Sequence, residues 1–197
     1  MIVVRHRRNT LAELAATPRT LGVEMDVRSR GSRLVVAHDP GADGVELDAW
    51  LDAYGHALLV ANPKEEGLVA PILAACAARG LADVVLLGPD PGEALPWWSR
   101  GDGRVAVRVS EIHSPETALR LAGRTGARGV VWVDAYDAFP LDRHTAGRLH
   151  AAGLRMILCS PELYGRDPGT IRAYQRAAEA CRVPWFAVCT AVPEAWG

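Results

Sequence analysis

The chain has 197 residues, 49% of them hydrophobic and 23% charged, with a formal net charge of -1. Those values fit one folded domain spanning residues 1–197 with a sizeable core, and they do not fit a disordered chain. A near-neutral balance gives no general attraction to nucleic acid or an anionic membrane, and no apolar run approaches the roughly 20 residues of a membrane span.

In chain order, residues 2–5 read as a strand, and Thr10 caps a helical stretch over 11–16. Residues 22–27 form a second strand, and after a Gly-containing turn 34–37 read as an extra hairpin arm. A 45–54 helix carries apolar residues three and four apart. A strand over 57–61 and a helix over 68–78, with Gly80 as its cap, come next, then a strand over 83–87. Three prolines with Trp97 and Trp98 make 89–103 a short, irregular connection, and those tryptophans either close the barrel or stack on a ligand. A strand over 104–109 precedes a helix over 115–124, capped by Ser114 with Pro115 at its first position. Strands over 130–133, 156–159 and 185–189 alternate with helices over 141–152 and 171–180.

Eight strands separated by helix-length connections are the pattern of parallel βαβ units, and eight repeats predict a closed (β/α)8 TIM barrel of the α/β class. At this length it is compact, with one or two helices reduced to a turn. No G-x-G-x-x-G follows the first strand and no Walker A motif occurs. The cysteines, 76, 159, 181 and 189, show no C-x-x-C spacing and read as core thiols in a reducing compartment. The apolar run at the N-terminus is too short for a signal peptide, so a cytoplasmic location is expected.

Polar residues gather just after the strands, where a barrel carries its chemistry. Glu24 and Asp26 are two apart and so share a strand face, offering two hard oxygen donors suited to Mg²⁺ or Ca²⁺. His6 and His38 can divide acid and base roles. Arg7 and Lys64 supply cations for a phosphoryl group. Lys64 is the only lysine among 22 basic residues, which suggests a position that needs a compact ammonium. The set fits phosphodiester cleavage.

The stretch His6-Arg7, Asn9-Thr10, Gly22-Val-Glu-Met-Asp-Val-Arg28 and Leu34-Val-Val-Ala-His-Asp-Pro40 resembles the N-terminal signature of glycerophosphodiester phosphodiesterases. That family opens with His-Arg-Gly, then has Glu-Asn-Thr, a Glu-x-Asp strand and His-Asp. The resemblance implies a TIM barrel, a divalent metal, acid–base roles for His6 and His38, and a phosphate contact for Arg7. It also implies metal ligation by Glu24 and Asp26. Asn62-Pro-Lys64 is similar to the family's Glu-x-Lys motif, with Asn62 where a third metal ligand is usual. A smaller branch with Asn-x-Lys, found among surface-glycan gene sets, is also similar at Arg108-x-Ser110-Glu111, Trp132-x-Asp134 and Ser160-Pro-Glu-Leu163. Arg7, Lys64, Arg108 and Glu111 are the expected substrate contacts, with Lys64 also assisting catalysis.

The chain departs from the pattern at Arg8, where the family has Gly, and it lacks the loop that precedes Glu-Asn-Thr. Asn62 removes a negative charge from the metal site and should weaken it; Glu111 could restore that charge or pair an arginine at the rim. Asp134 and Glu162 are further candidates at the barrel mouth. His56, His113, His144 and His150 have no motif around them and read as structural or solvated. The expected substrate is a small phosphodiester or a phosphorylated sugar. Lyase or transfer chemistry on a phosphorylated sugar, and a barrel that binds such a ligand without turnover, are the alternatives.

Overall fold

The chain begins on β1 (Ile2–Arg5) and passes through α1 (Leu11–Ala16) into the long β2 (Gly22–Arg30). β3 (Arg33–Val36) and β4 (Val45–Glu46) follow, and α2 (Leu47–Ala53) leads back to β5 (Leu59–Pro63). Strand and helix then alternate through α3 (Val69–Ala77), β6 (Val84–Leu87), α4 (Pro91–Trp98), β7 (Val105–Val109), α5 (Pro115–Thr125), β8 (Val130–Val133), α6 (Arg143–Ala151) and β9 (Arg155–Cys159). Two 3₁₀ turns, Pro161–Tyr164 and Pro168–Thr170, precede α7 (Ile171–Ala180), and β10 (Ala187–Thr190) ends in a third, Pro193–Ala195. This is a computed structural model that describes residues 1–88 and 91–197.

β1, β2 and β5 to β10 run parallel, and the sheet closes on itself because β1 pairs with β10 on one side and β2 on the other. The result is the expected (β/α)8 barrel. The last helix is reduced to the turn Pro193–Ala195, and α1 is a single short helix of 6 residues. β3 pairs antiparallel with the outer end of β2, and β4 pairs antiparallel with β3, making an arm above the rim.

Four sequence expectations need correction. Residues 45–46 are not helical: Val45 and Glu46 pair with Val36 and Val35 as a third arm strand. Gly44 permits this, since a Cβ there would come within 2.4 Å of the Val36 carbonyl oxygen. Within 89–103, whose residues 89 and 90 lie outside the described residues, Pro91–Trp98 is a helix rather than an irregular connection. Ala94 and Trp98, four apart, are both buried, so one helical face reaches the barrel despite Pro96. Third, β5 runs two residues later than the 57–61 strand, placing Asn62 on the strand itself. Finally, β10 begins only at Ala187, because the Trp185 indole donates to the Ala178 carbonyl at 3.1 Å and belongs to the α7 packing.

Two apolar cores follow from the period-2 alternation of the strands. Val23, Met25, Val107 and Val131 face outward against the helices, while Val4, Val60, Ala106 and Ile157 fill the barrel. Trp98 is fully buried in the outer layer, with its indole N–H on the Val105 carbonyl at 2.8 Å, so it packs rather than stacks on a ligand. Trp97 packs partly buried beside it. All four cysteines are buried and unpaired. Among the described residues no helix is long and apolar enough to cross a membrane.

Candidate active site

The inward ladders change from apolar to polar at the C-terminal ends of the strands. On β2, Glu24 and Asp26 point into the mouth, each only 1% exposed, and lie in register with Val60 and Asn62 of β5. After His6 the chain turns at Arg7 in the left-handed region, φ 52°. That conformation costs an L-residue roughly 1 kcal/mol. The turn aims the Arg7 N–H at Glu24 Oε2, 2.8 Å away, and the Arg8 N–H at the Glu24 carbonyl at 2.7 Å. Asn9 then brackets Asp26, donating from Nδ2 to Oδ2 at 2.8 Å and accepting the Asp26 N–H at 2.9 Å. A Thr10–Glu13 capping box and the Trp50 indole, which donates to the Arg8 carbonyl at 2.9 Å, hold this loop from behind.

Asp26 is engaged at both oxygens. Lys64 Nζ sits 2.7 Å from Oδ1, the Asn62 amide donates to the same oxygen at 3.1 Å, and Arg7 Nε lies 3.6 Å from Oδ2. Glu24 differs, because its buried Oε1 has no hydrogen-bond partner. Burial, and then the Asp26 charge, push the Glu24 carboxyl well above the usual carboxylate range. His6 Nε2 lies 3.7 Å from Glu24 Oε2. Burial, followed by the Arg7 charge, pulls the imidazole down to about 4, so it is neutral at pH 7 and free to accept a proton.

Across the barrel, four strands round from β2 in either direction, Asp134 follows β8. Its Oδ2 accepts from Arg108 Nη1 at 2.6 Å and from the Tyr136 hydroxyl at 3.3 Å. Oδ1 accepts from the Trp132 indole at 2.8 Å and from the Tyr164 hydroxyl. His6, Glu24, Asn62, Arg108, Asp134 and Tyr164 line an open cavity of about 140 Å³ between the two walls. Larger hollows of about 550 Å³ lie beside α7, lined by Arg172, Arg176, Glu179 and Glu194, and along α6.

His6, Arg7, Glu24, Asp26, Asn62, Lys64 and Arg108 therefore come together. His38 stands at the rim outside the cavity, its Nδ1 2.7 Å from Asp39 Oδ1 and its carbonyl accepting from Arg28 Nε at 2.8 Å. Glu111 does not line the cavity and reaches neither the two carboxylates nor an arginine. Its oxygens accept the backbone N–H groups of Tyr136, Asp137 and Ala138 at 2.7–3.2 Å, which fixes the loop after β8. Glu162 ties Ser160, Thr190 and Ala191 together at the seam between β9 and β10. His56 bonds the Thr17 carbonyl at 3.0 Å and His113 bonds Ser110 Oγ at 2.8 Å, while His144 and His150 are exposed on α6.

Three contributors carried no assigned role in the sequence reading. Asn9 was signalled only by its place in the Asn-Thr motif. Tyr136 and Tyr164 had no signal, since each reaches the mouth from a turn beyond a strand end.

The family resemblance implies a divalent metal, and the residues fit one in part. The partnerless, buried Glu24 Oε1 beside Asp26, with a carboxyl that holds its proton unusually tightly, is what a bound cation would relieve. Asn62 brings no charge and turns its amide nitrogen to Asp26. Among the described residues no three His, Cys, Asp or Glu side chains gather as a metal nest. Two carboxylates and an amide make a weak site.

No protein-family profile and no curated protein matches the chain. Solved structures do. A glycerophosphodiester phosphodiesterase from Agrobacterium tumefaciens is 16% identical, superposes with a TM-score of 0.67, and the match covers 100% of this chain and 98% of that one. A glycerophosphoryl diester phosphodiesterase from Parabacteroides distasonis gives 14% identity and 0.67, covering 98% and 84%. A Galdieria sulphuraria protein provisionally assigned the same activity gives 14% and 0.72, covering 98% and 95%. At these identities the likeness establishes the barrel fold along the whole chain.

Proposed function

We propose that this chain is a glycerophosphodiester phosphodiesterase-like hydrolase that cleaves a small, polar phosphodiester. The observation that carries the reading is the meeting of His6, Glu24, Asp26, Arg7 and Lys64 at one barrel mouth. Full-length likeness to solved enzymes of that description supports it.

Glu24, Asp26 and the carbonyl side of Asn62 would hold a Mg²⁺ or Ca²⁺ ion, which when bound supplies Lewis-acid polarisation of a phosphoryl oxygen or an attacking hydroxyl. Arg7 and Lys64 orient the diester and offset charge on its phosphoryl oxygens. His6, neutral at pH 7, takes a proton from the nucleophile at an imidazole nitrogen. His38, paired with Asp39 at the rim, would return a proton to the leaving alcohol on turning into the mouth. The buried thiols and the near-neutral charge suit a cytoplasmic enzyme acting on a small molecule rather than a nucleic acid. Asn62 in place of a third carboxylate gives some weight to a second reading, lyase or transfer chemistry on a phosphorylated sugar in the same mouth.

Hydrolysis of bis(p-nitrophenyl) phosphate and glycerophosphodiesters, with Mg²⁺, Ca²⁺ or EDTA, tests the proposal in the wild type, His6→Ala and Glu24→Ala. Metal-dependent cleavage lost in both variants supports it. Metal binding with no diester cleavage moves the reading to the second chemistry.

A further inference from the structure

We propose that the Arg108–Asp134 corner selects the substituent on the phosphodiester, admitting neutral polyol or anionic headgroups and rejecting quaternary ammonium headgroups. The inference rests on the phosphodiesterase reading and specifies the substrate class of that same mouth.

Asp134, 1% exposed, accepts from the polar ends of Trp132, Tyr136 and Tyr164, and a carboxylate so buried would draw a cation if it stood alone. Here the cation is built in. Arg108 Nη1 lies 2.6 Å from Asp134 Oδ2, and the four contacts from Arg108, Tyr136, Trp132 and Tyr164 occupy the lone-pair positions of both oxygens. Nothing on the carboxylate is left for a ligand, and its charge is already balanced.

The groups that remain towards the cavity have a defined polarity. Arg108 gives one N–H group to Asp134 and keeps others that can donate to phosphoryl or hydroxyl oxygens. Tyr164, which lines the cavity, donates its proton to Asp134, so its hydroxyl oxygen can only accept, while Tyr136 supports Asp134 from outside the lining. A polyol offers both the donors and the acceptors that this wall requires. A trimethylammonium group offers neither, and its methyl groups would leave the remaining Arg108 N–H groups without acceptors in a partly buried site. The cavity, about 140 Å³, is below the roughly 300–1,000 Å³ of drug-sized ligand pockets, consistent with a phosphoryl group and a short polyol arm.

The test compares kcat/KM for glycerophosphoglycerol and glycerophosphocholine in the wild type, Arg108→Lys and Arg108→Gln. The wild type and Arg108→Lys are expected to prefer the glycerol diester at least tenfold. Arg108→Gln should reduce the preference to threefold or less, mainly by lowering KM for the choline diester. Should the single change leave Asp134 unpaired and the fold impaired, Arg108→Gln with Asp134→Asn keeps a neutral corner of similar shape and should lose selectivity equally. Equal cleavage by the wild type, or an unchanged ratio in an active Arg108→Gln, overturns the proposal. If bis(p-nitrophenyl) phosphate and both diesters resist cleavage, the phosphodiesterase reading fails separately. Calorimetric binding of glycerol phosphate against phosphocholine then decides the corner, tenfold preference supporting it and equal affinity overturning it.

Discussion

Lys64 Nζ lies 2.7 Å from Asp26 Oδ1, so the chain's only lysine neutralises a carboxylate that is 1% exposed at the centre of the barrel mouth. Replacing Lys64 with Met leaves Asp26 with the Asn9 and Asn62 amides and a more distant Arg7. Breaking such a pair is costly, and with Lys64 20% exposed a loss of about 2 kcal/mol is expected in EDTA. Divalent metal should recover part of it, because the ammonium no longer competes for Asp26. Urea unfolding with and without Ca²⁺ measures both, and equal loss in the two conditions would speak against a cation beside Asp26.

Glu24 and His6 make opposite contributions to the pH dependence of stability. Burial keeps His6 neutral down to about pH 4, whereas the unfolded chain takes up that proton near 6.5, so His6 weakens the fold as pH falls between those values. The raised pKa of Glu24 means the folded state binds its proton first, so stability rises as pH falls from neutral towards 4.5. The two slopes oppose each other in the wild type. In metal-free Glu24→Gln the opposing slope is gone, and the His6 slope should lower stability by on the order of 1–2 kcal/mol between pH 6.5 and 4.5, on top of any loss from other carboxylates. A variant as flat as the wild type would show that His6 is not held neutral.

Asn62→Asp adds a third negative charge beside Glu24 and Asp26. It should cost the metal-free protein stability and raise Ca²⁺ affinity at least tenfold, equivalent to about 1.4 kcal/mol. Thermal shift across a Ca²⁺ titration reads both effects in one experiment. Unchanged affinity would place the cation elsewhere.

The Glu111 carboxylate should act on the loop rather than on the metal. Glu111→Ala frees three backbone N–H groups, with an expected cost of about 1 kcal/mol for so exposed a side chain. Hydrogen exchange at residues 136–138 should quicken while Ca²⁺ affinity stays unchanged. A drop in affinity would return Glu111 to the metal site.

Gly129 lies against the face of Trp98, and a Cβ there would come within 2.0 Å of the indole Cζ2. Trp98 is fully buried and hydrogen-bonded to Val105, so it has nowhere to move. Gly129→Ala should therefore destabilise the barrel by about 2–3 kcal/mol, seen as a lower Tm. A near-neutral change would show that α4 can shift outward to accommodate a methyl.

The sequence alone determined the eight barrel strands, the closed barrel and the side of the strands where polar groups collect. It also placed Glu24 and Asp26 on one face, because residues two apart on a strand point the same way. These are local regularities, carried by spacing within a few residues. The tertiary structure decided the rest: Asn9 brackets a carboxylate 17 residues away, Tyr164 reaches Asp134 from 30 residues away, and Glu111 serves a loop rather than the mouth. The helix over Pro91–Trp98 was equally hidden, since its prolines read as breakers until Ala94 and Trp98 had a barrel face to bury against. Such pairings depend on which strand ends are neighbours once the barrel closes, and closure depends on contacts between residues far apart in the chain, which local periodicity does not encode.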